Sequence, residues 1–500
     1  MTDRDRPESS PSSVASPEPE PGRGPEAESE SESESGAAWP LWQRVGLRYL
    51  LLHWLLQSGA TFTASLLGTI GGVRGQLLDR FELPWLDGAP FDWVGEAAMA
   101  VSRVEEWWQD ATSWLSERGL APYEVIHQRT GSGDTAHDIT KLLVIFAAAA
   151  LGALVWSLVR RAPCGYPRLG RWLHVLARFQ LAFVMLSYGL HKFFGGQFGE
   201  LGPRRLTTEV GDLWPMTMVG TFMQASKSYE LFGGGGEVLG GLLLFHRRTA
   251  LLGALVSIAV MSNVCALNWL HGVPVKVFSS WLLLTAVLLL APFRHTLAAV
   301  FLLNRPSKPV DLRAPAPRGL RTAVVLAGWA WVLATLTLTV IQGLGPKPWM
   351  EGREKPARYG VWTVERMVLD GEEVPAEDGT RWRFLAIDRG DLVWAREATG
   401  REHFFRIAWD EDEGAARVRP AGAEDAEPWT WTVAEGTKVL PVDPPLLLRN
   451  EDRGRKVDGE RKTLVLKGAW GERAVELHTV ERRFRLQTGF RFRQELPDFW

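Results

Sequence analysis

Acids, amines, amides and hydroxyls recur in this chain inside stretches that are otherwise apolar. Tyr188, His191 and Lys192 lie in the run MLSYGLHKFFGGQF, and Glu230 and Glu237 lie in SYELFGGGGEVLGGLLLF. Asn263 and Asn268 lie in MSNVCALNWL, and Lys276, Ser279 and Ser280 in HGVPVKVFSSW. Tyr188 and Lys192 are four apart and share a helix face. Glu230 and Glu237 are seven apart, so on a helix Glu237 sits two turns, about 10 Å, further along the same face. A carboxylate at that depth needs a cation or a donor, and Lys192 or Lys276 is the natural partner. An acid and an amine held together away from water bind the polar end of a ligand and can pass it a proton. The same groups also have a plain structural use. Lys192 and Lys276 can reach outward to the water interface, Glu230 can be solvated, and the glycines at 233 to 236, 240 and 241 let helices pack closely.

The elements that must position these residues are membrane helices. About 20 apolar residues cross a hydrocarbon core about 30 Å thick. Residues 142–159, 172–194, 229–245, 250–270, 277–293 and 323–343 qualify, and 45–69, richer in Gly, Thr and Ser, makes seven spans. Short loops rich in Lys and Arg stay cytoplasmic. Arg160, Arg161, Arg168 and Arg171 follow the second span, Arg247 and Arg248 the fourth, and Arg294, Arg305, Lys308, Arg313, Arg318 and Arg321 the sixth. Arg44 and Arg48 put the N-terminus on that side too, so seven crossings leave the C-terminus outside. The expected location is a bacterial cytoplasmic (inner) membrane, with the lipid bilayer as partner. On this topology four consecutive spans bring Tyr188, Lys192, Glu230, Glu237, Asn263, Asn268, Lys276 and Ser279 toward one outer face.

Residues 1–37 hold ten acidic and three basic side chains and an SE repeat, a composition that stays disordered. They carry neither the basic nor the apolar region of a cleaved signal peptide, so the first membrane helix is expected to direct insertion. Residues 38–140 contain the first span and FDWVGEAAMAVSRVEEWWQDATSWLSERG, which has the spacing of an amphipathic helix lying along the outer surface. GSGDT at 131–135 opens the second span with an N-cap aspartate or threonine. Residues 141–345 form the helical bundle. Residues 355–500 change to period two, with YGVWTVERMV, the LDGEE hairpin signal, RWRFLAID, an RGD turn, DLVWAREA, HFFRIAW, KTLVLKGAW, AVELHTVE and RRFRLQTGFRF. About eight antiparallel strands imply an all-β barrel or sandwich outside the membrane.

Other chemistries are disfavoured. His53, His174, His191, His246, His271 and His295 fall in or near spans, but no pair shares a mid-membrane depth, which argues against haem or a metal. Cys164 and Cys265, without a CxxC, exclude a disulfide scaffold, a thioredoxin-like motif and a structural zinc site. A net charge of -2 provides no basic surface for nucleic acid.

The segment from about Arg178 to Leu303 resembles the DoxX-like family of bacterial integral membrane proteins. The resemblance is carried by YGxxK at Tyr188 to Lys192 with Gln197 and Phe198, by SYELFGGGGEVLGGLLLFHRRTALLGAL, and by MSNVCALN and VPVKVFSS. It implies a four-helix core at about 172–303 within a larger form that adds an N-terminal helix pair and a C-terminal β domain. Named members form the membrane subunit of a thiosulfate:quinone oxidoreductase, which implies a quinone-facing role and a redox protein partner. The resemblance puts Tyr188, Lys192, Glu230, Glu237, Asn263, Asn268, Lys276 and Ser279 at motif positions. The opening YGVWTVERMVLDGEEVP also resembles the first strand and turn of lipocalin-like domains. The chain carries no redox-cofactor motif of its own, so whether it is an enzyme stays open. Binding or transport of a lipid or small molecule, and a scaffold for the β domain, are the competing expectations.

Overall fold

A computed structural model describes residues 39–81, 92–125, 133–160, 165–194, 197–313, 315–344, 355–390, 392–410, 412–422, 427–439 and 460–482. The acidic tail expected over 1–37 and the part of RRFRLQTGFRF beyond Arg482 lie outside these residues.

Helix α1 (Leu41–Trp54) passes through one π-helical turn (Leu55–Gly59) into α2 (Ala60–Phe81). It is followed by α3 (Asp92–Glu117), α4 (Ala136–Val159), α5 (Pro167–Phe193), α6 (Pro215–Ala225), α7 (Lys227–Phe245), α8 (Ala250–Leu270), α9 (Lys276–Leu288) and α10 (Arg318–Leu344). Among the described residues, five helices are long and apolar enough to cross a membrane: Ala136–Val159, Pro167–Phe193, Ala250–Leu270, Lys276–Leu302 and Arg318–Ile341. The expected spans at 45–69 and 229–245 are helical but fall outside these five. α7 is diluted by six glycines, Glu230 and Glu237, and the first is interrupted by the π-helical turn and carries Arg48 and His53. Leu143, Leu151, Leu154, Leu158 and Val159 of α4 are exposed, an apolar face that suits hydrocarbon surroundings.

Helices α5, α7, α8 and α9 pack in a closed cycle, α5 on α7, α7 on α8, α8 on α9 and α9 back on α5. Val175, Leu181, Ala182, Met185, Leu186, Leu244, Ala254 and Leu282 fill its interior. Helix α10 lies against α5 and α2, and α1 against α4. Arg48 of α1 is enclosed, donating to Ser157 Oγ at 2.7 Å, Tyr166 Oη at 2.6 Å and the Arg160 carbonyl at 3.3 Å. Its guanidinium therefore neutralises the carbonyl end of α4. The amphipathic α3 buries Trp108, exposes Trp107 and Trp114, and is fastened to the start of α4 by Glu105, which meets His137 at 3.3 Å and Lys141 at 2.6 Å.

The C-terminal region is an up-and-down antiparallel barrel of eight strands, β1 (Gly360–Leu369), β3 (Trp382–Ile387), β4 (Leu392–Glu397), β5 (Glu402–Asp410), β6 (Ala415–Pro420), β7 (Trp429–Val439), β8 (Glu460–Trp470) and β9 (Arg473–Arg482). A short return, β2 (Glu372–Glu373), adds to β1 through Asp370 and Gly371, both with positive φ (52° and 87°), as a primed hairpin turn requires. Closure decides between barrel and sandwich: β9 pairs with β1 from Val361↔Arg482 to Leu369↔Val475. Strand β6 falls outside the segments expected from alternation, because its inward positions are only Ala416 and Val418, and β7 turns polar after Val433. The barrel interior is packed with apolar side chains, with Trp382, Trp431 and Met367 enclosed.

Candidate functional site

The site forms at the end of the helical bundle that meets the barrel. Its geometry begins with a close crossing of α5 and α7. A Cβ on Gly189 would come within 2.7 Å of the Gly234 carbonyl oxygen, and one on Gly241 within 2.9 Å of the Ala182 carbonyl oxygen. Glycine at these positions lets the two backbones touch, as small residues do between membrane helices. That contact sets Lys192 of α5 directly on Glu237 of α7, with Nζ donating to Oε1 at 2.7 Å and to Oε2 at 2.6 Å. Both side chains are buried, 8% and 4% exposed, so each finds its hydrogen-bonding partner in the other rather than in water.

A second pair stands at the mouth of the first. Lys227, half exposed, donates to Glu230 Oε2 at 2.6 Å and to the Lys192 carbonyl at 3.0 Å. Glu230 is 1% exposed, and its Oε1 makes no hydrogen bond among the described residues.

Lys192 and Glu237 form part of the wall of a cavity of about 380 Å³ enclosed by α5, α6, α7, α8 and α9. Met185, Met261, Leu267, Phe278 and Leu282 make its surface mainly apolar, and Tyr188, Asn268 and Ser279 add polar groups. Ser279 is buried and donates to the Lys276 carbonyl at 3.1 Å. Tyr188 is about half exposed, its ring 6.1 Å from that of Phe278.

Three of the expected site residues are placed elsewhere. His191 is exposed, its Nδ1 2.7 Å from the Ser187 carbonyl, because one position before Lys192 the helix faces away from the cavity. Asn263 is exposed on the outer side of α8, five residues from the inward Asn268. Lys276 does not reach Glu237. It pairs with Asp134 at 3.3 Å, whose carboxylate also accepts the backbone N–H of Lys276 (2.8 Å) and Val277 (2.9 Å). Asp134 thus caps α9, distant in sequence, while Thr135 caps α4, accepting from Asp138 N at 3.2 Å and donating its own N–H to Asp138 Oδ2 at 3.0 Å.

Gln197 and Phe198, named by the resemblance, line the cavity, but sequence reasoning missed α6 and Arg205. Met216, Thr217, Gly220 and Gln224 of α6 line the cavity, while Met218 and Phe222 point outward. The signal was PMTMVGTFMQA between Pro215 and Ser226, too short for a span but apolar at helical spacing.

Arg205, Thr217 and Gln224 line both this cavity and a second, polar cleft of about 530 Å³ against the barrel. Ion pairs bind the barrel to the segment around that cleft: Arg204 to Glu402 at 2.7 Å, Arg396 to Asp212 at 2.6 Å, and Arg389 to Glu200 at 2.7 Å. The Arg389 contact uses the turn that begins the RGD sequence. Lys355 joins Glu200 at 3.0 Å. Burial, opposed and outweighed by Lys355 and Arg389, leaves the Glu200 carboxyl below its ordinary pKa. Burial and the adjacent Arg204 lower the pKa of Arg205.

No family model and no solved structure matches the chain. A 136-residue segment, 27% of this chain, is 35% identical to 84% of "Uncharacterized protein YwoB" of Bacillus subtilis (strain 168). The match takes in most of that bacterial protein and about a quarter of this one, so the shared unit here carries added regions. The chain belongs to the same family as YwoB.

Proposed function

We propose that the protein is a DoxX-like component of a bacterial cytoplasmic membrane, with seven crossings and the barrel outside, that binds a quinone in the outer-face cavity. The observation that carries this reading is the buried Lys192–Glu237 pair in the wall of an apolar cavity. Apolar walls with a few convergent polar groups are the usual form of a small-molecule site. Lys192 can hydrogen-bond a quinone carbonyl, and Glu237 beside it can hold or return the proton that accompanies reduction. Tyr188 and Asn268 would orient the ring, and the electrons would come from a redox protein partner.

A second reading, binding or transport of a lipid or small molecule, is favoured by one further observation. Arg205, Thr217 and Gln224 border both the cavity and the cleft beneath the barrel, so the two lie side by side.

The test is mass spectrometry, with an absorption spectrum, of molecules retained by protein purified in mild detergent, wild type against Glu237→Gln. A quinone retained by wild type and lost in the variant is the expected result. A lipid in its place turns the choice to the second reading. Nothing retained by either form would leave the bundle as a scaffold for the barrel.

A further inference from the structure

We infer that the neck between the cavity and the cleft is a head-group site, and that it takes an amphiphile whose apolar chain fills the cavity and whose anionic end rests on Arg205. This rests on the second reading above, in which the cavity holds a lipid-like molecule.

The two compartments differ in chemistry and share a wall. The cavity is lined chiefly by Val, Leu, Met and Phe, whereas the cleft is lined by Glu200, Arg204, Asp212, Asp388, Arg396 and Glu402 besides the shared residues. A molecule occupying both must be apolar along its length and polar at one end. The cavity volume, near the lower end of the roughly 300–1,000 Å³ usual for small-molecule pockets, suits one chain rather than two.

Charge assigns the sign of that end. Around the cleft stand five cations, Arg204, Arg205, Arg389, Arg396 and Lys355, and four carboxylates, Glu200, Asp212, Asp388 and Glu402. Glu402 is taken by Arg204, Asp212 by Arg396, and Glu200 by Arg389 and Lys355. Asp388 accepts the Arg389 backbone N–H at 2.8 Å. The Arg205 guanidinium has no ion pair among the described residues, although it is half-buried and beside another cation. A cationic head would be repelled there, and a neutral one would leave Arg205 uncompensated. A phosphate or carboxylate would accept its forked N–H donors. Helix α6 separates this path from the surroundings, with Thr217 and Gly220 on the cavity and Met218 and Phe222 outward.

The experiment measures binding of hexadecyl phosphate, palmitate and hexadecanol to the full chain in uncharged detergent by native mass spectrometry, with inorganic phosphate alone as a fourth probe. Wild type is expected to hold the two anionic amphiphiles about tenfold more tightly than hexadecanol, the scale of one charge-assisted contact. Arg205→Gln is expected to bring all three to parity at unchanged thermal unfolding. Thr217→Glu, which puts a carboxylate in the neck and leaves Arg205 in place, is expected to do the same and covers the case in which Arg205→Gln fails to fold. Equal binding of hexadecyl phosphate and hexadecanol by wild type overturns the head-group site but leaves the cavity reading standing. Inorganic phosphate binding as tightly as hexadecyl phosphate shows a free-anion site and overturns the amphiphile. Failure of all three chains, hexadecanol included, overturns both.

Discussion

In the barrel, apolar side chains including Trp382, Trp431 and Met367 fill the interior, and the buried charges Arg396 and Glu397 stand at the end of β4, where Arg396 pairs with Asp212 and Glu397 with His403. At the barrel end of the helical bundle, the contact between α5 and α7 encloses Lys192, Glu237 and Glu230 beside a cavity. The difference follows from how each architecture satisfies its backbone. A closed antiparallel sheet uses its hydrogen bonds between neighbouring strands, so strand spacing is set and side chains must fill the middle. A helix satisfies its own backbone, so neighbouring helices can touch at glycines and diverge a turn later, leaving room for a charge pair and a ligand. A filled interior stabilises, and an incompletely filled one with placed charges can act.

The sharpest way to break this comparison is to make the bundle's centre resemble the barrel's. Lys192→Met leaves Glu237 buried without its cation and is expected to destabilise by about 3–5 kcal/mol. Lys192→Met together with Glu237→Leu is expected to recover most of that loss, read as a double-mutant cycle of thermal unfolding in detergent. If the single variant unfolds with the wild type, the pair is no part of the packed centre. A smaller effect sharpens how the cavity walls are held. Asp134→Ala removes the α9 cap together with its contact to Lys276, and should cost about 1–2 kcal/mol in the same melts.

The smallest effect concerns α3, outside the spans. The hydrogen bond from His137, with Lys141 adding to it against the opposing effect of burial, holds the Glu105 carboxyl at about 2, below its ordinary 4.5. A depressed folded pKa adds stability that is complete above the unfolded value and disappears as pH falls through the folded one. Melting temperature should therefore drop between about pH 4.5 and pH 2 more steeply in wild type than in Glu105→Gln. Glu105 is half exposed, so screening holds the difference to about 1 kcal/mol or less. Parallel profiles would show that α3 is held by its buried residues, Trp108 and the Thr112 contact with His137, without help from the Glu105 charge.

Several of these features are legible in the sequence. Glu237 stood out because an acid two turns inside an apolar helix must be matched, and the pairing with Lys192 answers that need. The amphipathic pattern of α3 and the alternation of β1, β3, β4, β5, β8 and β9 are local and strong. What escaped was non-local or short. The sequence offers Asp134 or Thr135 as the cap of the helix that follows; Thr135 takes that place, and Asp134 caps α9, a partner that neighbours in sequence do not reveal. His191 and Asn263 carry the right chemistry on the wrong helix face, since one residue of helix rotates a side chain by about 100°.

Sequence alone determined that long apolar runs become helices, that the period-two region becomes a sheet, and that a carboxylate such as Glu237 cannot stand unpaired among apolar neighbours. These follow from rise per residue, side-chain periodicity and the cost of desolvating charge, which belong to a segment wherever it is placed. Only the tertiary structure decided that Lys192 rather than Lys276 answers Glu237, that β9 returns to β1, and that Arg205 stands where an apolar cavity meets a polar cleft. Those outcomes depend on which elements lie within a few ångströms of one another, and the glycine crossing of α5 on α7 and the closure of the barrel settle that in space.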